Sequence, residues 1–261
     1  MTLIERNSSR WSRLLLPAAV FLAMFALWYA VTTAALLQPY FLPAPAEIIR
    51  GLKFLFVERN FAADVAVSVR RVAQAFALSA AVGVPFGVIM GVHKKVDSAL
   101  EPIMAFVRYM PVAGFVPLCI LWLGIGDAQK VAVLFIGTFF QLVPMVRDAT
   151  HALPAEFYET ARTLGASNYL IILRVIIPYS LPRVYDALRI SIGITWTYLV
   201  VAEIVAAASG IGHVIIESQR YLQTANIFAG ILTVGCLGMV TDMLFRVLES
   251  LFFPWYRITS K

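Results

Sequence analysis

Residues 152–182 read ALPAEFYETARTLGASNYLIILRVIIPYSLP, a polar-punctuated stretch between two strongly apolar blocks. Pro154 suits the first turn of a helix, where its missing N–H is not needed, and Glu156 and Glu159 follow at the positive end of the helix dipole. Phe157, Ala161 and Leu164 share one face at helical spacing. Gly165 readily takes the left-handed conformation that ends a helix, and Ser167 is placed to cap a second helix whose apolar stripe runs to Pro178. The spacing predicts helix, tight turn, helix, lying between two membrane spans. Its small-residue face and glycine turn suit docking into a groove on a partner. Periodicity alone equally allows an amphipathic connector on the lipid surface.

Composition explains why spans should flank this stretch. The 261 residues are 61% hydrophobic and 14% charged, with a mean hydropathy of +0.82. A soluble domain is about 45–50% apolar and about 25% charged. The chain therefore reads as an all-α integral membrane protein, one domain of several helices. The ten-residue alternation of a membrane barrel is absent. The net charge of +6 sits in loops, as membrane topology requires, and forms no nucleic-acid patch. Cys119 and Cys236 fall inside apolar spans and read as small packing residues with no disulfide. Arg6, Arg10 and Arg13 precede an apolar run of about 20 residues or more, long enough to span, so a cleaved signal peptide is not expected.

Six spans are expected, over about Leu14–Leu37, Val72–Val92, Pro102–Leu123, Val131–Val146, Ile190–Ala208 and Ile227–Leu248. Pro43 and Pro45 impose an extended approach to an interfacial helix over Ala46–Phe56. The second span carries Gly83, Pro85, Gly87 and Gly91, which permit close helix contact. Residues 213–226 suit a short interfacial helix, and Trp255 and Tyr256 an interfacial anchor. Six spans place both termini on one side. Loops on that side hold Arg6, Arg10, Arg13, Lys94, Lys95, Arg147, Arg162, Arg174, Arg183, Arg189, Arg246, Arg257 and Lys261, which is 13 of 21 Lys and Arg. The opposite side holds 7: Arg50, Lys53, Arg59, Arg70, Arg71, Lys130 and Arg220. The positive-inside rule puts both termini, and the 152–182 loop, in the cytoplasm.

No catalytic constellation is visible. His93, His151 and His213 are far apart in sequence, and no pair has metal-ligand spacing. The chain has no GxxxxGK[ST] phosphate loop, no GxSxG and no HExxH. If it serves an ATP-driven machine, the ATPase is another polypeptide. Polar residues in spans are the remaining signal, because charge in the bilayer core is costly and marks function or a buried pair. Arg108 and Glu203 are the clearest. One or both face a translocation path, or they make a structural ion pair, or Arg108 snorkels to the inner interface; were the substrate an anion, Glu203 would be the structural one. Thr195, Trp196, Thr197 and Tyr198 form a polar-aromatic cluster, with Gln141 in the preceding span. Ser191, Thr195 and Tyr198 share a face, with Trp196 beside it. Lining a cavity between two copies and hydrogen bonding between helices are both open readings.

The order Glu159, Thr160, Ala161, then Gly165, then Ile177 and Pro178 resembles the EAA motif of permease subunits of bacterial ABC importers. Thr160 stands for the first alanine, Val175 for the motif isoleucine and Ile177 for its leucine. FLPAPAEI at 41–48, VRYMPVAGFVPLCILWLGIGD at 107–127 and LRISIGITWTYLVVAEIVAAASGIG at 188–212 resemble segments of the nitrate, sulfonate, taurine and bicarbonate branch; Tyr109 and Met110 depart from it. The resemblance runs from about Leu42 to Trp255. It implies an all-α permease of the type I importer kind with about six transmembrane helices. Residues 1–13 would be a cytoplasmic segment, 14–252 the permease domain containing the 152–182 coupling loop, and 253–261 a cytoplasmic tail. Glu159, Thr160, Ala161, Leu164, Gly165 and Ala166 would dock the ATPase, while Arg108, Gln141, Ser191, Thr195, Trp196 and Tyr198 are candidates to line the path. The resemblance further implies a second copy of the chain, two cytoplasmic ATP-binding subunits carrying ATP and magnesium, and a periplasmic or lipid-anchored solute-binding protein. No cofactor is expected on this chain. The bacterial inner membrane is its expected place, and a small anion its cargo. A membrane subunit that only recruits a partner, and a secondary transporter or channel, are the alternatives; the last predicts inverted repeats, which the sequence does not show.

Overall fold

The structure, a computed structural model, describes residues 10–34, 37–205 and 208–255. Residues 1–9 and 256–261 of the expected terminal segments lie outside them. The described residues are helical, with no strand among them. Helix α1 (Arg10–Thr33) carries apolar side chains that stand exposed around much of its girth, among them Leu16, Phe21, Leu22 and Leu27. Trp28 ties it inward, donating from Nε1 to the Pro43 carbonyl at 3.2 Å. The proline-bounded approach then leads to α2 (Pro45–Glu58), where the Glu47 carboxylate accepts from the Ala44 N–H at 3.0 Å and closes the first turn.

Helix α3 (Phe61–Val92) packs along α6 (Asp127–His151), and glycine sets how closely. A Cβ built on Gly87 would stand 2.7 Å from Val146 Cβ, and one on Gly91 2.5 Å from Thr150 Cβ. In lipid, apolar side chains gain little by leaving the tails for one another, so backbone closeness and dispersion hold such a pair. The expected role of these glycines is what the structure has.

The third expected span is not one helix. Helix α4 (Lys94–Arg108) stops before Pro111, a 3₁₀ turn follows over Val112–Gly114, and α5 (Phe115–Leu123) leaves at 84° to α4. Proline disfavours helical backbone at the residue before it and has no N–H to donate, so the break belongs there. The nine residues of α5 rise only about 14 Å, well short of a bilayer core of about 30 Å.

Beyond α6, the segment α7 (Ala155–Thr163) and the one-turn α8 (Asn168–Ile171) precede α9 (Ile177–Ile204). The second helix does not end at Pro178. It runs on through a π turn (Ile172–Ile176), so that residues 168–204 form one continuous helical rod. Pro178 cannot donate to the Arg174 carbonyl, and a widened turn just before it accommodates the ring. Helices α10 (Ile211–Arg220) and α11 (Thr224–Phe252) complete the fold.

Among the described residues four helical rods are long and apolar enough to cross a membrane: α3, α6, residues 168–204 and α11. Taken as one bent span, the α4–α5 pair makes a fifth, and Ala18–Thr33 of α1 is a shorter apolar helix. The central core is Val72, Ala75, Val116, Cys119, Val133, Leu134, Trp196 and Leu199, drawn from α3, α5, α6 and α9. Cys119 is buried as expected, whereas Cys236 faces outward from α11 with Met239, Val240 and Met243.

Candidate functional site

The α7 segment meets the bundle through Phe157, whose ring centre lies 5.8 Å from that of Tyr179 in α9. None of its residues is buried. Pro154 lies one place earlier than the first helical turn, at the cap position, in extended backbone that a proline ring accepts. At the other end, Gly165 has φ +81°, the left-handed region expected for it. Its N–H donates to the Arg162 carbonyl at 2.9 Å and the Ala166 N–H to the Ala161 carbonyl at 3.0 Å. These paired bonds are the Schellman closure, which satisfies carbonyls that a helix end otherwise leaves bare. One residue on, the Ser167 hydroxyl accepts from the Leu170 N–H at 3.4 Å and starts α8. The turn is thus fixed from both sides. It holds Leu164 out at 82% exposed, with Tyr169 at 71% and Phe157 at 51%. Glu159 and Thr160 are exposed, and Ala161 and Ala166 half-buried. The six residues expected to form the docking element are gathered into one protruding surface, with apolar side chains in front of a rigid turn.

The polar cluster of the bundle lies elsewhere, and its members divide. Ser191, Thr195 and Tyr198 do share a face of α9, turned toward α6. Thr195 Oγ1 lies 2.9 Å from Thr138 Oγ1 and donates to the Ser191 carbonyl at 2.9 Å. The Tyr198 ring packs on Gly137, within 2.6 Å of where a Cβ would stand. Trp196 turns to α11, its Nε1 donating to Thr241 Oγ1 at 3.1 Å. Ser191, Thr195 and Trp196 are buried within the protomer, and Gln141 is half-buried. The outward face of α9 is instead Ile190, Gly193 and Thr197, all exposed. Thr197 belongs to the expected polar-aromatic cluster but not to its Ser191, Thr195 and Tyr198 face, and it is the member left exposed.

Glu203 has a partner that the sequence left unnamed. Its carboxylate accepts from Arg71 Nη1 at 2.6 Å, Ser68 Oγ at 2.8 Å and the Gly212 N–H at 2.8 Å. Arg71 also reaches Asp127, and Asp64 accepts from the Gly210 N–H at 2.7 Å. Arg71 reads on the sequence as a loop-side charge, yet it is 3% exposed. The available signal was Glu203 itself: a carboxylate within a span requires a cation, and Arg71 is one helix away. Arg108 is not in this network. It is half-buried, with its guanidinium 5.4 Å from the Tyr109 ring centre, and it lines a small cavity against the last turns of α6.

The family described as binding-protein-dependent transport system inner membrane component matches residues 83–255. A Bacillus subtilis (strain 168) protein carrying the name aliphatic sulfonates transport permease protein SsuC is 31% identical over 251 residues, which cover 96% of this chain and 90% of that one. The taurine transport system permease protein TauC of Escherichia coli (strain K12) is 28% identical over 238 residues, covering 89% of this chain and 86% of its own. Among solved structures, inward-facing conformations of the MetNI methionine ABC transporter share the fold, with a TM-score of 0.59 at 20% identity over 70% of this chain and 94% of that one.

Proposed function

The chain belongs to the family of binding-protein-dependent transport system inner membrane components, and from that membership we propose that α7 and its Gly165 turn are the surface on which a cytoplasmic ATPase docks. The chain is a multi-pass inner-membrane permease subunit of an ABC importer of the sulfonate and taurine branch, and ATP hydrolysis belongs to a separate subunit. The observation that carries the docking reading is the α7 turn: closed by hydrogen bonds on both sides, with no residue of α7 buried and Leu164 82% exposed. A coupling element must transmit displacement without deforming. The continuous helix from Asn168 to Ile204 supports this, because it links the turn directly to the bundle core.

In this reading two copies of the chain carry two ATPase subunits that bind ATP and magnesium, and a solute-binding protein delivers the anion at the opposite end. Both termini and α7 lie in the cytoplasm. ATP-driven closure of the ATPase pair brings the two α7 elements together and rocks the spans from inward- to outward-open; hydrolysis resets them. The outward face of α9, with Gly193 and Thr197, supplies path lining better than Thr195 and Trp196, which are bonded to other helices inside the protomer, and Ser191, which is buried there.

The test is affinity purification in mild detergent of the wild-type chain and of Glu159→Lys, with the ATPase activity of each preparation. A cytoplasmic ATPase that accompanies the wild type and is lost or uncoupled in the variant is the expected result. A chain that purifies without an ATPase in either form overturns the docking role.

A further inference from the structure

The polar side chains of α7 are spent within it. Thr160 and Thr163 donate to the Glu156 and Glu159 carbonyls at 2.7 and 2.9 Å, and Arg162 donates to the Tyr158 hydroxyl at 3.2 Å. The side-chain link from α7 to the rod runs through Tyr179. Its ring centre lies 5.8 Å from that of Phe157, with the rings tilted by 42°, and the Arg183 guanidinium stands over the same ring at 5.7 Å. Arg183 also donates to the Ala152 carbonyl at 3.3 Å. Ala152 closes α6, where a helix leaves carbonyls without partners. Through Arg183 and Phe157, one half-buried tyrosine therefore ties the end of α6, the helix α7 and the α9 rod together.

The π turn decides where that ring points. A π turn holds one residue more than an α turn, and one extra residue rotates everything after it by about 100°. Tyr179 is the third residue past the turn. An uninterrupted α-helix from Asn168 would carry its ring around the rod and away from Phe157. Ring pairs and a cation over a ring are directional contacts, so they fix an angle as well as a distance. The angle matters because the rod is long. Its 37 residues span about 55 Å, against a bilayer core of about 30 Å. A small tilt imposed at the α7 end becomes a larger displacement at the other.

We propose that Tyr179 is a positioning residue for coupling: packed against Phe157 of α7 and Arg183 of its own helix, it fixes the angle between α7 and the rod, so that displacement of α7 reaches the outer end of α9. The proposal rests on the docking reading above and adds to it the point at which movement enters the bundle.

The full chain with its co-purified ATPase is studied in nanodiscs, with the exposed Cys236 replaced by Ser and the buried Cys119 kept. Spin labels at Thr163→Cys on α7 and Ile204→Cys at the outer end of the rod report their separation by pulsed electron paramagnetic resonance, with labelled chains diluted among unlabelled ones. With Tyr179 in place a single narrow distribution is expected. Tyr179→Ala should broaden it at least about twofold, as expected of a segment left with few packed contacts. Tyr179→Phe keeps the ring and should stay narrow, whereas Tyr179→Leu fills space without a π face and should broaden. A label at Ile204→Cys alone reads the separation of the outer ends of two copies. ATP with vanadate should change it when Tyr179 is present and leave it unchanged in Tyr179→Ala, with equal ATPase recovery in both. A narrow distribution in Tyr179→Ala or Tyr179→Leu overturns the joint. So does loss of the ATPase in Tyr179→Ala, which would place Tyr179 in the docking surface itself. An outer-end separation that ATP leaves unchanged with Tyr179 present overturns transmission through it. The two readings fail separately: a chain that recovers no ATPase sinks the docking role, while the Thr163–Ile204 distributions still judge the joint.

Discussion

Arg71 Nη1 lies 2.6 Å from a carboxylate oxygen of Glu203, with 3% and 0% of the two side chains exposed. Around that pair, α3 meets α6 through Asp127, and the link between α9 and α10 through the Ser209 carbonyl at 2.8 Å. Burying an ion pair adds little net stability by itself, but removing one member strands the other, at a cost of about 3–5 kcal/mol. Arg71→Met should therefore lower the thermal midpoint of the detergent-solubilised chain steeply. Adding Glu203→Gln, which removes the stranded charge at nearly constant shape, should restore a good part of it. A double variant no more stable than Arg71→Met would place the cost in lost packing instead.

The α3–α6 seam makes a second expectation. Gly87 has Val143 O at 2.8 Å and Val146 Cβ at 2.7 Å from the place a Cβ would take, and both belong to the facing helix rather than to a flexible side-chain end. Overpacking a tight contact costs about 1–3 kcal/mol. Gly87→Val should destabilise by that much in a thermal unfolding scan, whereas Gly235→Val on α11, which has nothing within 4 Å, should be close to neutral. Similar losses at both positions would show that helix propensity, and not the seam, governs these glycines.

Local rules made the turn at Gly165 and the cap at Ser167 legible, because each depends on residues a few places apart. The glycines of α3 were legible for the same reason: a small residue every four positions is one helix face. What stayed hidden is long-range. Glu203 and Arg71 are 132 positions apart, and no periodicity ties them. Pro111 falls inside the expected span Pro102–Leu123, yet the backbone turns 84° there. Pro178 misled in the other direction: it reads as a terminus, yet a π turn carries the helix past it. Which face of α9 is covered depends on where Thr138 and Thr241 arrive, and those belong to other helices.

At the docking turn, stability and recognition separate. Gly165 has φ +81° with nothing within 4 Å of where a Cβ would stand, so a side chain there meets strain but no clash. Gly165→Ala should cost the chain about 1 kcal/mol and loosen α7. Leu164→Asp, at 82% exposure, should leave folding unchanged and cut the ATPase recovered on co-purification about tenfold, the effect of a charge placed in an apolar contact core. Unchanged recovery with Leu164→Asp would remove Leu164 from the docking surface whatever Gly165→Ala does.

The two faces of α9 give the sharpest contrast, because neighbouring threonines should respond oppositely. Thr195 is fully buried, bonded to Thr138 across the helix pair, and an interhelical bond of this kind is worth about 0.6 kcal/mol. Thr195→Val keeps the shape and should cost about that much stability, with uptake into proteoliposomes nearly normal. Thr197 donates only to its own helix, to the Gly193 carbonyl at 3.2 Å, and is exposed beside Gly193. Thr197→Trp should leave the thermal midpoint and ATPase recovery unchanged while uptake falls by about tenfold or more, since a bulky ring there obstructs whatever passes along the open face. Normal uptake by Thr197→Trp together with a strong uptake defect in Thr195→Val would invert the assignment and return the path to the buried face of α9.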